Sequence, residues 1–108
     1  MTKGIILIGL GPGNPALLTM DAAKILASSA EVYFRTDHHP VVQWLPSQVK
    51  FHSFDYLYES CDQFEEVYAA IVEEILRIGQ TEKGVVYAVP GHPFVAESTC
   101  PEIFRRAK

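Results

Sequence analysis

The chain has 108 residues, which is enough for one domain and not comfortably enough for two. Hydrophobic residues make up 48% and charged residues 20%, as in ordinary globular proteins, and no apolar run approaches the ~20 residues of a membrane span. The net charge is −4, without a basic stripe or an Arg-rich face, which argues against nucleic acid or anionic membranes as partners. Because there is no CxxC and no signal peptide, we expect two free thiols and a cytoplasmic location.

Four short apolar segments predict strands, at residues 4–8, 31–34, 49–54 and 84–89. The first and the fourth are continuous apolar runs closed by turn residues. Continuous runs of this kind are typical of strands that are buried on both faces of a parallel sheet.

Helices are predicted between the strands. The first begins after Thr19, a good N-cap, and ends near Ser28. One short helical turn is expected at residues 41–45, and residues 54–62 are expected to form a solvated loop. A long helix is predicted at about residues 61–78, because Ser60 and Gln63 fit a capping box and apolar residues recur at 3–4 spacing up to the stop at Gly79.

The last predicted helix covers residues 96–108. The resulting order β-α-β-β-α-β-α predicts an α/β fold with an open, mostly parallel sheet and helices on both faces. The order also stops as if another strand should follow, so we expect residues 1–108 to be the first domain of a longer protein. A small complete domain with a C-terminal helix is the alternative.

The loop after the first strand reads "GLGPGNP" and carries three glycines, Gly9, Gly11 and Gly13. A dinucleotide fingerprint would need glycine where Asn14 stands and a helix that opens directly on the loop. Pro12 and Pro15 instead remove two amide donors, and no Lys-Ser/Thr pair completes a phosphate-binding P-loop. The loop therefore indicates a stiff backbone that passes close to a ligand, or else a simple strand-to-helix turn.

A second rigid loop follows the fourth strand and reads "VPGHPFV". In open parallel sheets, ligands bind beyond the carboxyl ends of the strands. If the first and fourth strands are neighbours, their two glycine loops form one wall, with Gly91 permitting close approach and Pro90 and Pro93 holding it rigid. The alternative for His92 is a polar loop residue that caps the next helix.

Residues 37–39, Asp-His-His, are candidate metal ligands by residue type. Adjacent histidines on a loop usually point apart, whereas a metal site needs ligands that converge. We therefore predict no metal site. No Ser-His-Asp or Cys-His spacing indicates a nucleophile either.

Both loops, in the contexts "IGLGPGNPALLTMDAAKILASSAEVYFRT" and "VVYAVPGHPFVAES", resemble the N-terminal domain of the tetrapyrrole (uroporphyrinogen/corrin) methylase family. The segments "RT..HP" and "SFD.LYE" are similar to the branch that is fused to MazG-type nucleotide pyrophosphohydrolases. The resemblance spans nearly the whole chain and rests on two separate motifs in the right order.

The resemblance implies an S-adenosylmethionine-dependent methyltransferase that acts on a tetrapyrrole such as a uroporphyrinogen or precorrin. It also implies two α/β domains with the cofactor between them, so a fifth strand and a second domain in cis would complete this chain. A homodimer is left open as a further arrangement.

The family's cofactor contacts carry over to five positions, namely Pro12, Pro90, Gly91, His92 and Val95. Two departures stand out. His92 replaces an aspartate of the family's turn, and Phe34 replaces an acidic residue that is a proposed proton acceptor. The catalytic base and the methyl acceptor are therefore not assigned.

These departures favour a second hypothesis, a non-catalytic ligand-sensing or regulatory domain attached to a nucleotide pyrophosphohydrolase. A third is a small dinucleotide-binding oxidoreductase domain, against which Asn14 and the loop prolines argue.

Overall fold

A computed structural model describes residues 4–11, 18–45, 49–81, 84–92 and 98–107. Its sheet has four strands, which are β1 (Ile5–Gly9), β2 (Glu31–Phe34), β3 (Lys50–Ser53) and β4 (Val85–Val89). Their spatial order is β1-β4-β2-β3, and every pairing is parallel. The predicted α/β fold is confirmed, and each predicted strand lies within two residues of its observed bounds.

Among the described residues, four α-helices and one 3-10 helix accompany the strands. They are α1 (Met20–Ser28), the 3-10 helix (Pro40–Trp44), α2 (Asp55–Ser60), α3 (Phe64–Gly79) and α4 (Thr99–Ala107). Thr19 caps α1 as predicted, because its Oγ1 accepts a hydrogen bond from the Ala22 N–H at 3.1 Å. Within the described residues, no helix is both long and apolar enough to span a bilayer.

Each face of the sheet carries its own hydrophobic core. Odd-numbered residues of β4 face α3 and α4, where Val85 and Tyr87 pack with Ile71 and Ile103. Even-numbered residues face the other way, and Ala88 joins the core that is formed with α1 and the 3-10 helix. Because side chains alternate along a strand, the central strand β4 supplies both cores, which explains its continuous apolar sequence.

The segment between β3 and α3 differs from the prediction. The expected loop at 54–62 contains α2, and the expected capping box does not form. The Ser60 hydroxyl donates to the Tyr56 carbonyl within α2 at 3.0 Å, and Gln63 is the N-cap of α3 without a side-chain cap bond. Ser60 therefore belongs to the end of one helix rather than to the start of the next.

β1 also differs from the prediction of a strand that is buried on both faces. It pairs with β4 on one side, and no other described strand pairs with it. The Ile6 side chain is 42% exposed. Its apolar sequence indicates burial that the described residues do not provide.

Candidate functional site

The site lies where β1 and β4 end side by side. The two strands pair in register from Ile5 opposite Val85 to Gly9 opposite Val89. Their chains then separate to opposite faces of the sheet, since α1 packs into one core and α4 into the other. Two neighbouring parallel strands whose following helices diverge leave a crevice at their carboxyl ends, and open α/β sheets bind ligands in such crevices. The condition under which the two glycine loops form one wall, that the first and fourth strands are neighbours, is therefore met.

Two glycines join the loops across this crevice. The Gly11 N–H donates to the Gly91 carbonyl at 3.1 Å, and the Gly91 N–H donates to the Gly11 carbonyl at 3.0 Å. Both residues have positive φ, +73° at Gly11 and +71° at Gly91. Glycine is the residue that adopts this conformation without a steric penalty. Among the described residues, nothing lies within 4 Å of a Cβ added to Gly91.

A third loop reaches the same point through His39. Its Nδ1 accepts a hydrogen bond from the Val41 N–H at 3.1 Å, which caps the 3-10 helix. Its Nε2 lies 3.0 Å from the Gly11 carbonyl oxygen. Since Nδ1 is an acceptor here, the ring proton is on Nε2 and is donated to Gly11. The imidazole therefore links the loop after β2 to the loop after β1.

Asp55, the first residue of α2, holds the start of the loop after β2. Its carboxylate accepts from the Thr36 hydroxyl at 2.7 Å and from the Asp37 N–H at 3.0 Å. Burial alone would raise the Asp55 pKa, but hydrogen bonds from Asp37, Thr36 and Ser53 outweigh it and lower the pKa to about 2. The hydrogen bond with Asp55, with burial and the nearby Asp55 charge, raises the pKa of Asp37 instead. Asp55 thus keeps its charge and Asp37 is the partner that takes up a proton first.

Three side chains in this region bring candidate metal-ligand atoms within 4.8 Å of one another, Asp37, His38 and Asp55. The His38 side chain is 82% exposed. This is a different set from the 37–39 run weighed on sequence, because both ring nitrogens of His39 are engaged by the backbone. We do not assign a metal site to these three residues, because exposed acidic groups commonly cluster without a metal ion.

The other predicted site residues fall into two groups. Gly9 ends β1, Pro90 is half-buried, and Gly91 and His92 are exposed at the carboxyl end of β4. Pro12, Gly13 and Val95 lie outside the described residues. Sequence reasoning missed two contributors, Asp55 and the bridging role of His39, because both depend on contacts between segments distant in sequence.

Phe34, where the resemblance places an acidic residue, is fully buried. It belongs to the core beside α1, and its ring meets Phe51 edge to face with centroids 6.0 Å apart. The side chain is therefore part of the hydrophobic core and offers no proton acceptor at the crevice.

Comparison with known proteins agrees with this geometry. A sequence profile of the tetrapyrrole (corrin/porphyrin) methylases matches residues 4–108. The chain is 43% identical over 100 residues to a Bacillus subtilis (strain 168) protein described as uncharacterized protein YabN. That alignment covers 92% of this chain and 20% of YabN, so the chain spans about a fifth of the length of this relative.

Solved structures of uroporphyrin-III C-methyltransferase from Thermus thermophilus have a similar fold. One matches 99% of this chain and 44% of its own with a TM-score of 0.68 at 21% identity. Another, complexed with S-adenosyl homocysteine, matches 94% of this chain and 41% of its own with a TM-score of 0.56 at 24% identity. At such identities the likeness shows the fold, while the profile match over residues 4–108 shows the family. The chain belongs to the tetrapyrrole (corrin/porphyrin) methylases.

Proposed function

We propose that the crevice between β1 and β4 binds S-adenosylmethionine and that the protein transfers its methyl group to a tetrapyrrole. The observation that carries the proposal is the pair of glycine loops, joined at Gly11 and Gly91 where two neighbouring parallel strands send their chains to opposite faces. The complex of a related fold with S-adenosyl homocysteine supports the choice of cofactor. Five residues would line the cofactor side, namely Pro12, Pro90, Gly91, His92 and Val95.

The described part of this crevice is built from backbone rather than from charge. The N–H and carbonyl of Gly91 are bonded to Gly11, so Gly91 presents its Cα without a side chain, and Pro90 restricts the backbone beside it. Methyl transfer from a sulfonium is an in-line displacement, to which positioning and exclusion of water contribute much. A stiff, close-approaching backbone suits that requirement better than it suits the binding of a pyrophosphate.

A ligand-sensing or regulatory domain is the second candidate function, and Phe34 favours it. A reduced tetrapyrrole carbon that receives a methyl group must also lose a proton, so a base is useful. Phe34 is buried where the resemblance implies such a base. In this alternative the crevice binds the cofactor or a similar ligand, without turnover, and regulates an attached nucleotide pyrophosphohydrolase.

We also propose that further chain completes the domain and that a second α/β domain closes the crevice from above. β1 pairs with β4 along one edge. On the face of the sheet that carries α3 and α4, an open groove is lined by Ile5, Leu7, Leu76, Ile103 and Phe104. A fifth strand paired with the other edge of β1 would help to cover the exposed Ile6 side chain. A cytoplasmic location fits the two free cysteines, Cys61 and Cys100.

Calorimetric titration of the full-length protein with S-adenosylhomocysteine tests the proposal. Binding is expected in the micromolar range or tighter. If no binding occurs at millimolar ligand, the methyltransferase proposal is wrong. If binding occurs but neither a uroporphyrinogen nor a precorrin is methylated, the result supports the sensing domain instead.

A further inference from the structure

Three loops converge on one atom of the crevice, the carbonyl oxygen of Gly11. The Gly91 N–H donates to it from the loop after β4, and the His39 Nε2–H donates to it from the loop after β2. Both distances are 3.0 Å. A carbonyl oxygen has two lone pairs, so these two donors use its full capacity.

The His39 ring is held in place for this contact. Val41 N–H donates to Nδ1, and Pro40 fixes the first residue of the 3-10 helix that the ring caps. Because Nδ1 accepts a hydrogen bond, the ring proton is on Nε2, from which it can be donated to the Gly11 carbonyl. The ring orientation and the proton position are therefore both set by the backbone of the loop after β2.

We propose that His39 is a positioning residue of the cofactor crevice, which holds the Gly11–Gly91 bridge in the conformation that receives the ligand. The proposal rests on the proposed function, since the cofactor is what this bridge would meet. Gly11 has a positive φ and a glycine can leave this conformation readily, so the loop needs an outside contact to stay fixed. His39 supplies that contact from a segment 28 residues away.

Two substitutions separate this role from a capping role. In His39→Asn the amide oxygen can replace Nδ1 and keep the cap on the 3-10 helix, but no group reaches Gly11. In His39→Gln the longer side chain can place its amide N–H at the position of Nε2 and restore the donor. His38→Asn is the matched control, because His38 is the exposed neighbour of His39 and does not contact the bridge.

Titration of the full-length proteins with S-adenosylhomocysteine gives the first readout. Loss of one hydrogen bond of ordinary strength predicts a roughly fivefold weaker affinity in His39→Asn. His39→Gln should recover affinity to within about twofold of wild type, and His38→Asn should match wild type. The reverse order of the two His39 variants, or equal affinity in both, would overturn the positioning role while leaving cofactor binding intact.

A ligand-free readout keeps the test separate from the proposed function. Proton–nitrogen correlation NMR of the wild-type protein should show His39 protonated on Nε2 and unprotonated on Nδ1. Exchange of the Gly91 amide should be faster in His39→Asn than in wild type and near wild type in His39→Gln. A proton on Nδ1, or unchanged Gly91 exchange in His39→Asn, would overturn the inference even if the protein binds the cofactor. Failure of the wild type to bind S-adenosylhomocysteine would instead overturn the proposed function and, with it, the cofactor role of the bridge.

Discussion

At the scale of single residues, Gly91 combines two properties that a test can separate. Its φ of +71° strains any other residue, and no described residue lies within 4 Å of the position that a Cβ would take. Gly4, at the amino end of β1, has the same two properties, with a φ of +80° and nothing within 4 Å of an added Cβ. Gly4 lies at the amino end of β1 and Gly91 at the carboxyl end of the neighbouring strand β4, so only Gly91 borders the crevice.

We expect Gly4→Ala and Gly91→Ala to lower the free energy of unfolding by a similar amount, about 1–2 kcal/mol, because both place alanine at positive φ. Only Gly91→Ala should also weaken S-adenosylhomocysteine binding, by roughly tenfold, since its methyl group projects toward the ligand. Urea unfolding and calorimetric titration of the full-length variants measure the two effects. Equal losses of affinity in both variants would indicate a general effect of strain and would contradict a ligand at Gly91.

The Asp37–Asp55 pair predicts a pH dependence of stability. The Asp55 pKa is lowered to about 2 in the folded chain, so its contribution is full above its ordinary pKa near 3.8 and is lost as the pH falls from about 4 to 2. Asp55→Asn should therefore lower the free energy of unfolding by about 1 kcal/mol at pH 7, after allowance for solvent screening. The difference from wild type should shrink as the pH approaches 2.

Asp37→Asn is the matched control for this pair. The raised Asp37 pKa means that its charge is unfavourable near Asp55 at neutral pH, and the Asp37 N–H bond to Asp55 survives the substitution. We expect this variant to be as stable as wild type at pH 7 or a few tenths of a kcal/mol more stable. Thermal melts between pH 2 and 7 measure both variants. A loss in Asp37→Asn as large as that in Asp55→Asn would contradict the assignment of the charge to Asp55.

How far the sequence predicts a residue's role depends on how local that role is. The Thr19 cap and the turn of the 3-10 helix were predicted correctly because their hydrogen bonds stay within a few residues. His39 was considered only as a metal ligand, since its partner Gly11 is 28 residues away. Asp55 was not identified at all, because its partners come from the loop after another strand.

At the scale of helices and strands, Gly79 ends α3 where the sequence predicts, but the physical reason for glycine at this position is a different one. It was predicted as a helix-stop glycine, which would have a positive φ at the first position beyond the helix. In the structure Gly79 is the last residue of α3 and is buried, with Gln80 as the C-cap. A Cβ on Gly79 would lie 2.8 Å from Ile5 Cδ1 and closer still to Cγ1. Close packing of α3 on β1 is therefore what requires glycine.

We expect Gly79→Ala to destabilise this domain by about 1 kcal/mol. Overpacking against Ile5 costs about 1–3 kcal/mol, and the better helix propensity of alanine offsets about 1 kcal/mol of that cost. In an Ile5→Ala background the clash is gone, so the same substitution should be neutral or stabilising. A double-mutant cycle from urea unfolding measures this coupling, and simple additivity of the two substitutions would contradict the packing explanation.

The boundaries between elements were predicted well where the apolar pattern changes and poorly where it does not. Arg35 follows β2, and Gly84 and Pro90 flank β4, which explains the agreement for these two strands. Residues 54–64 mix aromatic, acidic and polar side chains, a composition that predicts a loop where the structure has α2. The Tyr58 ring of α2 contacts the Phe64 ring of α3, with centroids 6.2 Å apart, and this packing stabilises a helix that has no buried residue of its own.

At the scale of the whole molecule, the parallel α/β architecture followed from the order of elements, but the position of β1 in the sheet did not. Continuous apolar sequence predicts burial without saying which segment provides it. β4 is covered by described residues on both faces and both edges, whereas β1 has a partner on one edge. The relative YabN extends far beyond the aligned fifth of its length. These two observations together support the proposal that further chain covers β1 and the crevice.

If further chain covers β1 and the crevice, the 108-residue fragment and the full-length protein should differ in ligand affinity and in amide exchange. The fragment presents one wall of the crevice, so its affinity for S-adenosylhomocysteine should be at least about a hundredfold weaker, equivalent to about 2.7 kcal/mol of binding free energy. Amides of β1 that point away from β4 should exchange quickly in the fragment and slowly in the full-length protein, where a fifth strand would accept their hydrogen bonds. Amides of β4 serve as the internal control, because both of their neighbouring strands are present in either protein. Micromolar binding by the fragment, or equal exchange of the outer β1 amides in the two proteins, would contradict a crevice completed by further chain.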